Sequence, residues 1–206
     1  MKHETLPNGL SVPKIGFGCW KIGGAGTADP SQDEWSLAAL RSALELGYTH
    51  FDTAESYAAG HSEELLGQAV RAAGIQRESL FITSKVSPSH LDPQSLLRSC
   101  AASLRRLQMD YLDLYLIHWP APNMRLGETF RTLNRLVADG KVRHLGVSNF
   151  DLSQLQLAQS VCATPILTNQ VPYSLGDRSY VANGMLAYSR KTTSFSPPIR
   201  LCSRAG

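Results

Sequence analysis

Three short apolar runs in this 206-residue chain each end in a different polar residue. Asp52 closes YTHFD, Lys85 closes FITSK and His118 closes DLYLIH. Tyr57 lies a few residues beyond Asp52, in DTAESYAAGHSE. Together these types form a coherent chemical set. A tyrosine hydroxyl with a pKa of about 10 is a poor acid at neutral pH. A lysine ammonium beside it stabilises the phenolate and is expected to lower that pKa. A carboxylate beside the lysine holds the lysine charged and oriented, and a histidine can hydrogen-bond a carbonyl oxygen. The set suits proton delivery to a carbonyl oxygen while hydride arrives at the carbon. Acyl transfer is disfavoured, because no Ser–His–acid set sits at these run ends. Singly, each residue has an ordinary alternative. Asp52 could cap a helix, Lys85 could be a solvated charge, and His118 could be a structural histidine before Trp119-Pro120. The chemical reading rests on their joint placement.

For these residues to meet, the runs must be parallel strands ending on one face. Apolar, β-rich runs at 15–20, 48–52, 80–85, 112–118, 142–148 and 166–170 alternate with helical periodicity. Asp92-Pro93 reads as an N-cap with proline at the first helical position. Leu96, Leu97, Cys100, Ala101 and Leu104 then mark one helical face. Further helices are predicted over 35–46, 61–73 and 130–138, ending at or just before Gly47, Gly74 and Gly140. Asp151 or Ser153 caps another through 159, and 178–188 reads as a weaker sixth helix. Six βα units predict an α/β fold with a parallel sheet and helices outside it.

Two architectures compete, a doubly wound sheet and a (β/α)8 barrel. Gly16-Phe17-Gly18 lacks the third glycine of a dinucleotide fingerprint, and Gly23-Gly24-Ala25-Gly26 lacks the rest of a P-loop. The latter is read as a flexible loop. Pro7-Asn8-Gly9 suggests an N-terminal β-hairpin that could plug the bottom of a barrel. In a barrel, residues at strand C-terminal ends converge on the active-site face.

Composition is that of an ordinary globular protein, 43% hydrophobic and 18% charged. It excludes a disordered, collagen-like or disulfide-framework chain. No run of about 18 apolar residues exists, so no membrane partner is expected. The N-terminus lacks the apolar region of a secretory signal, so a cytoplasmic location is expected. Twenty basic and 17 acidic residues give a net charge of +3. Arg190, Lys191, Arg200 and Arg204 supply that excess, leaving no basic face for nucleic acid. Cys19, Cys100, Cys162 and Cys202 have no metal-ligand spacing, so reduced thiols and no metal are expected.

Six motifs make the signal specific: GFGCW (16–20), FDTAESYAAGHSEELLG (51–67), TSK (83–85), LDLYLIHWP (112–120), GKVRHLGVSNF (140–150) and NQVPYSL (169–175). With them the chain resembles the aldo-keto reductases, NADPH-dependent carbonyl reductases on a (β/α)8 TIM barrel. The resemblance runs from about residue 5 to 190 and keeps the family's order and spacing. It implies Tyr57 as general acid tuned by Lys85 and Asp52, with His118 orienting the carbonyl of a small-molecule substrate. It implies Ser148, Asn149 and Gln170, with Asp52, at the nicotinamide of NADPH (NADP+). Trp20 and Trp119 would line the substrate pocket.

The resemblance also implies that the barrel is incomplete, with six βα units and strands seven and eight missing. The phosphate-binding segments belong to those missing units. Residues 1–190 are then a partial barrel and 191–206 a non-native, disordered tail. A frameshift near codon 191 is expected, because a shifted reading of KTTSFSPPIRLCSRAG permits an apolar strand ending Tyr-Ser-Pro; a true in-frame tail is the alternative. Two alternatives stand beside the reductase reading. One is an inactive barrel fragment. The other is an aldolase using Lys85 as a Schiff base.

Overall fold

A computed structural model describes residues 2–6, 9–174 and 176–191, with backbone alone at 190 and 191. Strands β1 (His3–Thr5) and β2 (Ser11–Pro13) form the antiparallel hairpin expected at the N-terminus. Its connection closes through Leu6 N to Leu10 O, 2.8 Å, and Gly9 N to Leu6 O, 2.9 Å. Gly9 takes φ +84°, a left-handed conformation that suits glycine. Pro7 and Asn8, named in the expected turn, lie outside the described residues, as do Leu175 and 192–206 of the expected tail.

Six parallel strands follow: β3 (Phe17–Gly18), β4 (His50–Asp52), β5 (Phe81–Val86), β6 (Leu112–Ile117), β7 (Val142–Ser148) and β8 (Ile166–Gln170). They lie side by side in chain order. A doubly wound sheet reverses its order at a switch point, so that alternative falls away. The sheet curls strongly, since Gln170 Nε2 on β8 donates to Asp52 Oδ2 on β4 at 2.9 Å. The chain thus forms a curled half-barrel. Eight strands are present in chain numbering, and β7 and β8 both belong to the sheet. The expectation of two missing strands is corrected in that sense: the hairpin takes the first two numbers, and the parallel sheet holds six.

Helices α1 (Asp33–Glu45), α2 (His61–Ala73), α3 (Pro93–Leu107), α4 (Leu126–Ala138) and α5 (Leu152–Val161) follow β3 to β7 in turn. Asp92 caps α3 through Ser95 N, and Asp151 caps α5 in a reciprocal capping box with Gln154. The helix expected over 178–188 is instead α6 (Ser179–Ala182) and α7 (Met185–Lys191). The break falls at Gly184, φ +85°. Helix α1 begins earlier than expected, after a turn of 3-10 helix over Pro30–Gln32 that Asp29 caps.

The pleat divides each strand between two cores. Tyr115 and Ile117 of β6 pack outward with the helices, among them Phe130, Leu133 and Leu136 of α4. Leu114 and Leu116 face the concave side, where Leu6 and Val12 from the hairpin region meet them together with Leu167. The hairpin therefore plugs the bottom. On the same inner face, one pleat repeat further on, stands His118. Gly146 on β7 leaves room for this packing, because a Cβ there would meet the Leu116 and Thr168 side chains.

Candidate active site

Two-residue periodicity delivers the polar side chains to one mouth. His50 and Asp52 share a face on β4, as do Thr83 and Lys85 on β5. Neighbouring parallel strands hold them in register, with Asp52 beside Thr83 and Lys85 beside Leu116. Lys85 Nζ donates to Asp52 Oδ1 at 2.5 Å, to Thr53 O at 3.0 Å and to the Tyr57 hydroxyl at 3.1 Å. All three ammonium protons thus have acceptors. Lys85 is 1% exposed and Asp52 5%, so neither charge would be tolerable without the other.

Tyr57 reaches this ammonium from a strained turn. Ala58 and Ala59 have φ of 49° and 54°, and Gly60 has φ 96°. Two alanines in left-handed conformations each store strain that the surroundings must hold. Arg106 supplies part of that hold, its Nε packed where a Cβ on Gly60 would stand. Arg106 is itself fixed by the buried carboxylate of Glu63 at 2.6 Å. Ser62 at the start of α2 donates to Cys19 O at 2.9 Å and shares a 3.1 Å hydrogen bond with Thr53. His118 completes the set, its ring edge-on to Tyr57 with centroids 5.5 Å apart.

Burial and the charges it encloses set the electrostatics between them. Burial would depress the Lys85 ammonium, but the Asp52 charge, Tyr57 and the hydrogen bonds to both outweigh it and hold Lys85 above its ordinary value. A permanently protonated lysine is a poor Schiff-base nucleophile, which disfavours the aldolase reading. Burial, with the Lys85 charge, pushes His118 down to about 4, so its ring is neutral at physiological pH. Burial also pushes the Tyr57 hydroxyl above its ordinary value; Lys85 pulls it down without reversing the shift. Lys85 thus lowers the hydroxyl as expected, but burial outweighs it and the net direction is upward. Asp52 at 2.5 Å already offsets much of the ammonium charge that Tyr57 would feel. The phenol remains protonated at neutral pH, as a proton donor must.

The cofactor-side candidates also converge. Ser148 Oγ donates to Gln170 O at 2.8 Å and accepts from Asn149 Nδ2 at 2.9 Å. Asn149 Nδ2 also reaches His118 O at 3.0 Å, and Asn149 takes φ 61°. Gln170 faces Asp52 because β8 carries a bulge, placing Ile166 beside Leu145 but Asn169 beside Val147. An unbroken strand would turn Gln170 away from the face that Leu167 shares. Among the described residues no hydrogen bond reaches Asn149 Oδ1 or Gln170 Oε1. Both are acceptors suited to the NH2 of a carboxamide. Trp20 directly follows Cys19 beyond β3, and Trp119 follows His118; they are 39% and 51% exposed. Among the described residues no group of three His, Cys, Asp or Glu could hold a metal ion, and no helix is long and apolar enough to cross a membrane.

The sequence reading passed over residues 55 and 56. Glu55 Oε1 accepts from Ser87 N at 2.6 Å and contacts His90 Nδ1 at 2.9 Å, joining the loops after β4 and β5. Ser56 Oγ lies 3.3 Å from His118 Nδ1. Only their position between Asp52 and Tyr57 could have flagged them.

Known proteins place this site in a class. The profile of the aldo/keto reductase family matches residues 14–195. The chain is 44% identical over 170 residues to the methylglyoxal reductase of Escherichia coli, covering 82% of this chain and 57% of that protein. A thermostable aldo-keto reductase crystallised with the inhibitor epalrestat superposes with a TM-score of 0.92 at 44% identity, covering 95% of this chain and 71% of that one. An aldo/keto reductase from Klebsiella pneumoniae in complex with NADP and acetate gives 0.83 at 38% identity, over 95% and 66%. The chain belongs to the aldo/keto reductase family. It spans little more than half the length of the curated relative.

Proposed function

We propose that this chain carries the site of a carbonyl reductase that uses NADPH and turns a small aldehyde or ketone into an alcohol. The observation that carries the reading is the Lys85 ammonium shared between Asp52 at 2.5 Å and the Tyr57 hydroxyl at 3.1 Å. The names of relatives support the rest: one reduces methylglyoxal and one was crystallised with NADP. An α-dicarbonyl is accordingly the first substrate class to try.

The donor set fits a nicotinamide. Asn149 Oδ1 and Gln170 Oε1 would accept from its carboxamide, while Ser148 holds both in place. When bound, that group supplies the hydride. Tyr57 holds the proton that the reduced oxygen needs. As negative charge grows on that oxygen, proton transfer leaves a phenolate facing Lys85, whose charge then stabilises it. Asp52 keeps Lys85 protonated and aimed. His118, neutral, donates a hydrogen bond that orients the carbonyl. Trp20 and Trp119 offer exposed apolar faces at the mouth to shield the substrate from water. A cytoplasmic setting accords with free thiols at Cys19, Cys100 and Cys162.

The second reading is a barrel unit without catalysis, and the observation favouring it is coverage of 57% of the methylglyoxal reductase. Sequencing the gene around codon 191 bears on the choice: a shifted frame that continues into further strands belongs to the reductase, and an unshifted frame with a stop after codon 206 belongs to the fragment. Titrating the chain against NADPH fluorescence, then assaying methylglyoxal reduction, separates the two. Saturable quenching with turnover is expected of the reductase. No quenching and no turnover at any NADPH concentration overturns it.

A further inference from the structure

The His118 ring can serve the proposed reaction in only one of its two neutral forms. To orient a carbonyl oxygen it must present an N–H, whereas the lone pair of the other form would repel that oxygen. Its backbone is held on both sides, by His118 N to Val86 O at 3.0 Å and by Asn149 Nδ2 to His118 O at 3.0 Å. Those bonds place the residue but say nothing about the ring proton. Among the described residues the ring has one hydrogen-bond partner, Ser56 Oγ at 3.3 Å from Nδ1. Tyr57 packs edge-on against the ring and limits its rotation. Ser56 is exposed, and no other hydrogen bond of its side chain occurs among the described residues.

We propose that Ser56 is a positioning residue whose hydroxyl donates to His118 Nδ1, holding the ring as the Nε2–H form that presents a donor to the substrate carbonyl. The inference rests on the reading of His118 given above. A serine hydroxyl rotates freely, so the polarity of this bond follows from the ring's second role. If Nδ1 accepts, Nε2 must carry the proton, the logic by which a neighbour selects a histidine's form. Ser56 and Tyr57 are consecutive, so one turn sets both the proton donor and the carbonyl-orienting donor. That turn is the strained one, braced by Arg106 and by Glu55 at the loop after β5.

The test is nitrogen-15 NMR of the histidine rings in the full chain at neutral pH, with the His118 signals assigned by their loss in His118→Asn. The proposal expects protonated Nε2 and an Nδ1 resonance displaced by an accepted hydrogen bond. In Ser56→Ala that resonance should move to the unbonded position and the two ring forms should mix. Ser56→Thr, which keeps the hydroxyl, should restore the wild-type spectrum. In parallel, Ser56→Ala should lower kcat/KM for methylglyoxal about fivefold, the scale of one neutral hydrogen bond. Protonated Nδ1 in the wild type, or identical spectra for wild type and Ser56→Ala, overturns the proposal. If the spectra behave as expected but no turnover is found with NADPH, Ser56 keeps its role and the reductase reading fails instead.

Discussion

The two ends of β4, β5 and β6 share one backbone and one pleat yet solve opposite problems. Below His118 on the inner face, Leu114 and Leu116 meet Leu6, Val12 and Leu167 in a small apolar core. At the C-terminal end the same face presents Asp52, Lys85 and His118, joined by Tyr57. The bottom is stable because it removes apolar surface from water and leaves nothing to satisfy. The top removes charge from water and is tolerable only because each charge has its partner. One end can be repacked with any side chains of the right volume; the other works as a unit.

The largest break in this comparison is Lys85→Met. It leaves the Asp52 carboxylate buried without its counter-ion, a change of about 3–5 kcal/mol in unfolding free energy by urea titration. Replacing Lys85 and Asp52 together by Met and Leu should recover most of that stability without restoring turnover. At the bottom, Leu116→Ala should cost about 2–5 kcal/mol through a cavity. The Lys85–Tyr57–Asp52 arrangement should survive it. Between the two ends, Gly146→Ala pushes a methyl against Leu116 and Thr168 and should cost about 1–3 kcal/mol. Its effect should shrink when Leu116 is already Ala, which a double-mutant cycle measures.

The smallest effect is a slope. His118 is held down to about 4 against an ordinary 6.5. Between those values the unfolded ring takes up a proton that the folded ring refuses. Its contribution to stability is therefore full above pH 6.5 and falls as pH drops toward 4. His50 and His144 are shifted in the same direction by burial. Comparing wild type with His118→Asn across this range isolates the His118 share, and the variant should show the shallower slope.

Much of this was legible in the chain. Polar residues closing apolar runs located Asp52, Lys85 and His118, because a strand entering a barrel mouth changes environment at its last residue. Asp92 and Asp151 announced their helices, since capping is local chemistry. The hairpin was legible from its turn. What depended on distant contacts was not. The bulge that turns Gln170 toward Asp52 leaves no local mark, since ILTNQ reads equally well as a straight strand. Left-handed Ala58 and Ala59 defy local preference, and part of what holds them is distant in sequence, Arg106 packed against the adjoining Gly60. The Tyr57 hydroxyl rises because burial outweighs Lys85, and burial is a property of the folded whole.

The proposed reaction depends most on Tyr57, held by Lys85 at the mouth of the curled sheet, as its proton donor. Its most direct test is Tyr57→Phe, assayed for methylglyoxal reduction with saturating NADPH and checked for an unchanged NADPH titration. The expected result is a fall in kcat of about 10²–10⁴-fold with cofactor binding intact. Turnover equal to wild type would contradict that role.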